Sequence, residues 1–269
     1  MNNVNKWKEF EKGAISYLKN EYGDFFELKG ESNSNTSDIL FRKEDNNFFI
    51  EVKMPEAQCG QFVLIPDGEK KKFEYSLKNK TKKNNYTCEI MKYMNNDFEK
   101  FKKSSTSGID LNMTDLTFYN WIIEYYKEKN VKFFITKSDK DYIIFPIEHF
   151  SCYFEVTAKY RMKRSGSRHL SKLSKNDFEK ALKKEFEKVN IFYEFKGLDI
   201  ATDEELDGRK IYGENRTYLL RKKGDKLYKV RQLSNTKNSN VIFSIKLKDN
   251  ILEKQKKEDL DKFELFVKN

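Results

Sequence analysis

The sequence predicts an α/β (α+β) fold in which a mixed central β-sheet is flanked by helices. Residues 37–53 and 131–146 each contain two runs of aromatic and β-branched residues joined by a short polar turn, which is the pattern of a β-hairpin. Residues 4–22, 87–103 and 114–130 carry apolar residues at three- and four-residue steps, which is the spacing of an amphipathic helix. The order helix, hairpin, helix, helix, hairpin is typical of helices that cover one shared sheet.

The first hairpin carries charged residues on runs that are otherwise apolar. Asp38 precedes the run 39–41, and Glu51 and Lys53 lie at the end of the run 48–53. Successive side chains of a strand point to opposite faces, so Glu51 and Lys53 share one face, and pairing within the hairpin brings Asp38 to it. Since an unpaired buried charge is costly, we expect the two carboxylates and the lysine to converge.

This set of side chains suits the hydrolysis of a phosphodiester. Two carboxylates are hard oxygen ligands of the kind that Mg²⁺ prefers. The metal can polarise a phosphoryl oxygen and activate a water, while Lys53 orients that water or neutralises charge that develops on the phosphate. The alternative is an exposed edge hairpin in which Lys53 forms only a surface salt bridge.

Asp38 followed by Glu51-Val52-Lys53 on a hydrophobic strand resembles the motif of the PD-(D/E)xK nuclease superfamily, to which most type II restriction endonucleases belong. Ser37 stands where the family name has proline. The resemblance covers about 25 residues, from Asp38 to Phe62. It implies a restriction-endonuclease-like core, Mg²⁺ as cofactor, double-stranded DNA as substrate, and products with 5′-phosphate and 3′-hydroxyl ends. It also implies a role in restriction-modification.

The resemblance extends to three further polar residues. The first strand pair ends at Pro55, and Gln58 and Gln61 follow beside the predicted metal site. Glutamines after this strand contact the lysine or DNA in restriction-type members, which implies a catalytic supporting role here. Many members also take an acidic metal ligand from the preceding helix, and Glu11 is the candidate. The alternatives are a solvated loop for the glutamines and a solvated helix position for Glu11.

The net charge of +10 and the pI of about 9.1 indicate a polyanionic partner. Residues 1–150 hold 24 Lys+Arg and 24 Asp+Glu, so the excess of positive charge lies entirely in residues 151–269. This asymmetry predicts a PD-(D/E)xK-like catalytic core over 1–150 and a basic DNA-recognition region over 151–269. The alternative is that the second region packs on the core and the two form one domain.

A basic segment, residues 159–168, is the strongest candidate for DNA contact. From Lys159 to Lys172 there are six Lys/Arg and no acidic residue. Arginines bind phosphates through two hydrogen bonds or read guanine in the major groove, whereas the alternative is a merely basic loop. A predicted hairpin at 218–231 adds two arginines. The candidate DNA-binding residues are Lys159, Arg161, Lys163, Arg164, Ser165, Ser167, Arg168, Arg221 and Arg231.

Several functional classes find no support in the sequence. Three cysteines and two histidines are too few for a disulfide framework, a zinc cluster or an HNH-type nuclease. The sequence contains no glycine-rich phosphate loop, so it does not predict a nucleotide cofactor. The first residues lack the apolar core of a signal peptide, and no stretch reaches the roughly 18 apolar residues of a membrane span. We therefore expect a cytoplasmic protein without a membrane partner.

Together these patterns predict a Mg²⁺-dependent, sequence-specific endonuclease of double-stranded DNA, a type II site-specific deoxyribonuclease. Cleavage of both strands of a palindrome implies, by analogy, a homodimer. One alternative is a structure-selective or modification-dependent DNA nuclease. Another is a non-catalytic DNA-binding protein with a nuclease-like fold, although such a protein is expected to have lost Asp38, Glu51 or Lys53. The third alternative is an RNA-binding or RNA-cleaving protein.

Overall fold

The computed structural model describes residues 6–29, 37–139, 141–249 and 251–268. The chain divides into two compact units, the first made of Met1–Arg161 and Ser239–Asn269 and the second of Met162–Asn238. This division differs from a boundary at residue 150, because the last strand and the last helix of the chain return to the first unit. Among the described residues, no helix combines the length and apolar character that a membrane crossing requires.

The helices follow the amphipathic patterns with shifted ends. They are α1 (Lys6–Tyr22), α2 (Asn85–Asn96), α3 (Phe98–Phe101), α4 (Asp115–Lys127), α5 (Phe150–Tyr153), α6 (Lys172–Phe186) and α7 (Glu253–Lys268). The helix predicted over 87–103 is interrupted at Asp97, whose backbone leaves the helical conformation. The helix α6 begins after Ser171, which is its N-cap residue. Residues 4 and 5 of the first predicted helix lie outside the described residues.

The strands of the described residues form three sheets. They are β1 (Phe26–Leu28), β2 (Ile39–Lys43), β3 (Asn46–Val52), β4 (Glu56–Asp67), β5 (Lys72–Tyr75), β6 (Ile109–Asp110), β7 (Val131–Ser138), β8 (Asp141–Pro146), β9 (Phe154–Arg164), β10 (Ser167–His169), β11 (Glu194–Lys196), β12 (Asp199–Ala201), β13 (Lys210–Tyr212), β14 (Thr217–Gly224), β15 (Leu227–Leu233) and β16 (Lys237–Leu247).

The first sheet has the order β1-β2-β3-β7-β8 and belongs to the first unit. Its strands pair antiparallel except β3 and β7, which are parallel, so the sheet is mixed. One face is covered by α1 and α7, whose residues Leu18 and Phe263 are buried with Ile50 and Phe133 of the sheet. The predicted fold class, a mixed sheet flanked by helices, is therefore confirmed.

The second sheet of the first unit has the order β5-β4-β16-β9-β6. The helix α4 packs between the two sheets, because Trp121 stacks on Phe243 of the second sheet at 4.2 Å and Tyr126 contacts Phe134 of the first at 5.1 Å between ring centroids. Gln58 and Gln61, for which a solvated loop was the alternative to a supporting role, lie on β4, which pairs with β16 from the far end of the sequence. The alternative of a loop is wrong, because this long-range pairing leaves no local signal in the sequence.

A bulge in β4 sets the direction of its glutamines. The register against β16 shifts between Ile242 and Ser244, and Gly60 has a φ of +100°, a conformation that favours glycine. The extra residue puts Gln58 and Gln61 on the same exposed side, although they are three residues apart. A Cβ atom on Gly60 would lie 2.7 Å from Cζ3 of Trp121.

The last helix of the chain is held to the first unit by a buried carboxylate. Asp259 is 2% exposed, and its Oδ1 lies 2.7 Å from Nδ1 of His149. Its Oδ2 accepts hydrogen bonds from the Tyr153 hydroxyl at 2.6 Å and from Nε2 of Gln255 at 3.1 Å. The carboxylate thus joins α7 to α5 and to the turn before it, which satisfies a charge that would otherwise be costly to bury.

The second unit has its own sheet and core. Its sheet has the order β11-β12-β15-β14-β13, with β10 also paired to β15. The apolar side of α6, formed by Phe178, Leu182 and Phe186, packs on this sheet. Residues 198–213 contribute β12 and β13 to this sheet.

Candidate active site

The charged residues of the first hairpin meet at the end of β3. Ile39 pairs with Ile50, which places Asp38 directly across from Glu51. Oδ2 of Asp38 accepts a hydrogen bond of 2.9 Å from the backbone N–H of Val52. The backbone N–H of Lys53 donates to the carbonyl of Ile135 on β7 at 3.0 Å, so the neighbouring parallel strand fixes the position of the lysine.

Lys53 and Glu51 form a buried ion pair. Nζ of Lys53 donates a short hydrogen bond to Oε1 of Glu51, and the two side chains are 14% and 7% exposed. Burial opposes the charge of the lysine, but the carboxylates of Glu51 and Asp38 outweigh it and raise the pKa of Lys53. The lysine is therefore an ammonium group at neutral pH, able to donate hydrogen bonds and unable to accept a proton.

The same environment that favours the charged form of Lys53 favours the protonated, neutral form of Asp38. Burial, and then the negative charge of Glu51, raise the pKa of Asp38 from 3.8 to about 7, against the smaller opposing effects of Lys53 and the Val52 N–H. Glu11 adds a further small increase. The site thus holds more negative charge than its single lysine compensates, which favours either a proton or a cation.

The donors fit a magnesium ion that keeps part of its water shell. Asp38 and Glu51 supply carboxylate oxygens, which Mg²⁺ prefers, and their uncompensated charge favours a divalent cation. Within the described residues, no group of three or more His, Cys, Asp or Glu side chains is arranged to hold a metal. Glu11, predicted as a third ligand, lines the same cleft as Lys53 without completing such a group.

The two glutamines lie next to each other on the bulged strand β4. Nε2 of Gln58 donates a hydrogen bond of 3.0 Å to Oε1 of Gln61, and both side chains are exposed. Gln58 also lines the cleft that contains Lys53. Their catalytic role stays a prediction, and their exposed position leaves them available to a substrate.

Three side chains near the lysine were not identified from the sequence. The ring of Tyr126, on the last turn of α4, has its centroid 5.6 Å from Nζ of Lys53, and its hydroxyl lies 3.9 Å from Sγ of Cys59. Burial raises the pKa of Cys59 to about 12, so the thiol is neutral. Thr136 follows Ile135, the partner of Val52, and so lies beside Lys53 in the sheet.

The hydroxyl of Thr136 is buried and has no hydrogen-bond partner among the described residues. Thr136 and Cys59 give no sequence signal, because each occurs singly in an apolar strand. Tyr126 lies at helical spacing with Trp121 and Ile122, a pattern that indicates a core position. The sequence therefore identifies the charged residues of the site and leaves the neutral ones that surround the lysine unmarked.

The basic segment is divided between the two units. Lys159 and Arg161 lie on the part of β9 that belongs to the first unit, and residues 163–168 lie in the second. Nζ of Lys159 is paired with Asp110 at 3.2 Å. Of the candidate DNA-binding residues at 163–168, which belong to the second unit, Lys163, Arg164, Ser165 and Arg168 are exposed.

Some candidate DNA-binding residues already have partners within the second unit. Nη2 of Arg231 donates to the carbonyl of Ser167 at 2.7 Å, and Nε donates to its hydroxyl at 3.2 Å. Nη1 of Arg221 lies 3.8 Å from Oδ2 of Asp207. Arg231 and Ser167 thus hold β10 against β15, a structural use that the sequence did not indicate. A role in DNA binding remains a prediction for each of them.

Comparison with known proteins agrees with this geometry. No family model and no curated protein sequence matches the chain. Among solved structures, HhaI endonuclease in complex with DNA matches with 48% sequence identity, coverage of 100% of both chains and a TM-score of 0.89. Similarity at this level over the whole length of both chains shows common descent. The chain belongs to the restriction-endonuclease family that includes HhaI endonuclease, within the PD-(D/E)xK nuclease superfamily.

Proposed function

We propose that the protein is a Mg²⁺-dependent, sequence-specific type II endonuclease that hydrolyses double-stranded DNA to 5′-phosphate and 3′-hydroxyl ends. The observation that carries the proposal is the convergence of Asp38, Glu51 and Lys53 at the end of one hairpin. The full-length similarity to an endonuclease that was solved with DNA supports the choice of substrate. The fold alone would not be sufficient, because one fold hosts many functions.

The two carboxylates have the task of holding the metal. Asp38 and Glu51 would ligate Mg²⁺, and Glu11 in the same cleft would act through water or through its charge. When bound, the metal supplies Lewis-acid polarisation of the phosphate and acidification of a water. Asp38, whose pKa lies at about 7, must give up its proton before it can serve as a ligand.

Lys53 acts as a charged donor in this proposal. Because the carboxylates raise its pKa, its ammonium group would hold the attacking water or neutralise charge on the phosphate, and would not act as a general base. The oxygen of a water molecule forms the new bond to phosphorus and its proton passes to solvent, the bond from phosphorus to O3′ breaks, and the leaving oxygen takes a proton from solvent. Gln58 and Gln61 would support the site from β4.

The decisive experiment incubates purified protein with phage DNA in Mg²⁺ and in EDTA, beside Lys53→Ala. We expect discrete fragments with wild-type protein in Mg²⁺ only, and a loss of cleavage of at least about 100-fold for the variant. Thermal melting of the variant serves as the folding control. Mapping the fragment ends gives the recognition site and the chemistry of the ends.

The other outcomes distinguish the alternatives. A smear in Mg²⁺ would retain the chemistry and replace sequence specificity by structure-selective cleavage, and cleavage restricted to modified phage DNA would indicate a modification-dependent nuclease. Retardation of intact DNA, equal for wild type and Lys53→Ala, would indicate a non-catalytic DNA-binding protein. Preferential cleavage of RNA would overturn the choice of substrate. A restriction role further implies action in the cytoplasm alongside a modifying partner enzyme.

A homodimer remains part of the proposal, because a palindromic site has two-fold symmetry. Sedimentation of the protein with and without the mapped duplex tests it. A complex of two chains per duplex, and cleavage of both strands of a supercoiled plasmid in one binding event, are the expected results. A one-to-one complex that accumulates nicked circles would show that a single chain cuts the strands in turn.

A further inference from the structure

A cleft of about 920 Å³ opens beside the candidate active site, between α1 and the connection from β3 to β4. Lys53 lines it together with six apolar residues, which are Trp7, Phe10, Val52, Met54, Pro55 and Ala57. This volume falls within the roughly 300–1,000 Å³ of clefts that hold a compact organic ligand. The residues for phosphodiester hydrolysis do not by themselves require such an apolar space.

Trp7 is the prominent feature of this cleft. Its side chain is 41% exposed, whereas Trp121, the other tryptophan of the chain, is 1% exposed. Ala14 and Leu18 form the buried side of α1, and Trp7 lies about two turns of helix before Ala14, near the start of the helix. An exposed indole at the mouth of a cleft is a common feature of ligand-binding surfaces.

The charges around the cleft indicate which part of a nucleic acid would enter it. Lys6 and Lys53 line the cleft together with Glu11 and Glu56, and Lys53 is already paired with Glu51, so the cleft has no excess of positive charge. An apolar space without excess positive charge is poorly suited to a phosphate and well suited to the neutral sugar and base between two phosphates. Lys8, whose Nζ lies 5.5 Å from the centroid of the Trp7 ring, adds positive charge at the mouth, where the next phosphate would lie.

We propose that this cleft binds the nucleoside adjoining the scissile phosphate, with the indole of Trp7 packed against its base or sugar. The inference rests on the proposed function, since it states where the cleaved strand runs relative to Lys53. Aromatic rings that stack on bases contribute regardless of sequence, so Trp7 would strengthen binding of the strand without selecting its sequence.

The chain offers a direct measurement because Trp121 is inaccessible to solvent. Acrylamide quenching of tryptophan emission is measured with and without a duplex that carries the mapped site, in Ca²⁺ in place of Mg²⁺ to prevent cleavage. We expect the duplex to reduce the quenching constant of wild-type protein at least about twofold. Trp7→Phe is expected to show little quenching in either state, because only the buried tryptophan remains.

Affinity provides the second measurement, by anisotropy of a labelled duplex. We expect Trp7→Ala to weaken binding about tenfold and Trp7→Phe to retain most of the affinity, because phenylalanine keeps an apolar ring. The matched control is Phe25→Ala, which removes an aromatic ring with 40% exposure that does not line the cleft. That variant is expected to bind as the wild type does.

Two results would overturn the proposal, and they differ in whether they also overturn the proposed nuclease function. If the duplex binds with unchanged Trp7 quenching and Trp7→Ala binds as tightly as wild type, the strand runs elsewhere, and the proposed nuclease function is unaffected. If the protein neither cleaves nor retards phage DNA, the proposal falls together with the proposed function.

Discussion

Asp38 faces Glu51 across two antiparallel strands, and the backbone N–H of the next residue, Val52, donates to Oδ2 of Asp38 at 2.9 Å. The hydrogen bond holds the aspartate toward the glutamate in spite of their like charge. Because this repulsion and burial raise the pKa of Asp38 to about 7, the arrangement is suited to binding a cation and is unfavourable to folding in its absence.

This arrangement predicts that Asp38→Asn stabilises the metal-free protein at pH 8. The pKa of Asp38 is higher in the folded state than its usual 3.8, so the folded state binds the proton more tightly and loses stability as pH rises from about 4 to about 7. Above pH 7 the full cost of the buried charge is present, and asparagine removes it. We expect a gain on the order of 2 kcal/mol in the free energy of unfolding at pH 8 in EDTA.

The gain should shrink at pH 5, where Asp38 is already protonated in the folded protein. Urea unfolding at the two pH values measures the difference, and cleavage by Asp38→Asn should be abolished at both. A variant less stable than wild type at pH 8 would show that the carboxylate contributes a favourable interaction that the repulsion does not outweigh.

Gly60→Ala is expected to destabilise the first unit and weaken cleavage. The φ of +100° at Gly60 is strained for alanine, and the added Cβ atom would lie 2.7 Å from the buried ring of Trp121. Such strain costs about 1–3 kcal/mol, and relief by movement of β4 would shift Gln58 and Gln61. Gly68→Ala is the control, because a Cβ atom there has no neighbour within 4 Å. Equal melting temperatures for the two variants would contradict the role of the bulge.

Tyr126 is expected to position Lys53 through its ring and not through its hydroxyl. The ring centroid lies 5.6 Å from Nζ of Lys53, whereas the hydroxyl lies 3.9 Å from the neutral thiol of Cys59. Tyr126→Phe should therefore cleave at close to the wild-type rate. Tyr126→Leu should lose about tenfold or less, in line with the roughly 1–2 kcal/mol of a partly desolvated cation–π contact.

Single-turnover rates across pH 6–9 separate positioning from a general loss of stability. If the ring positions the ammonium group, Tyr126→Leu lowers the single-turnover rate while DNA affinity in Ca²⁺ is retained. A loss equal in both Tyr126→Phe and Tyr126→Leu would assign the role to the hydroxyl instead.

Asp259→Leu is expected to destabilise the protein by about 3 kcal/mol, because His149 and Tyr153 would lose their common partner in a buried position. Asp261→Leu, two residues on and exposed, is the control and should change the free energy of unfolding by less than about 0.5 kcal/mol. Urea unfolding of the two variants measures the difference. Similar values would show that α7 is held by its apolar side alone.

The sequence predicts the first hairpin well because its geometry is local. Asp38 and Glu51 are separated by a single turn, and the two-residue alternation of a strand determines which side chains share a face. The HhaI relationship supports the family assignment that followed from these residues. The equal numbers of basic and acidic residues in 1–150, 24 of each, are likewise counted directly from the sequence.

The features that the sequence did not predict depend on long-range pairing. The position of Gln58 on a strand follows from its pairing with Ser244, and no pattern in the sequence around Gln58 identifies Ser244 as its partner. The boundary near residue 161 is equally non-local, because Phe243 and Phe263 complete cores begun at the other end of the chain. Tyr126 was missed for a different reason, since a buried aromatic at helical spacing is usually only a core residue.

The discontinuous first unit has a consequence for the synthesis of the protein. Ser239–Asn269 follows the whole of the second unit in the sequence, and it supplies most of β16 at the centre of one sheet and α7 on the face of the other. A chain that lacks these residues contains Asp38, Glu51 and Lys53 but not the strand and the helix that complete the cores around them. The first unit is therefore completed only after the second unit has been synthesised.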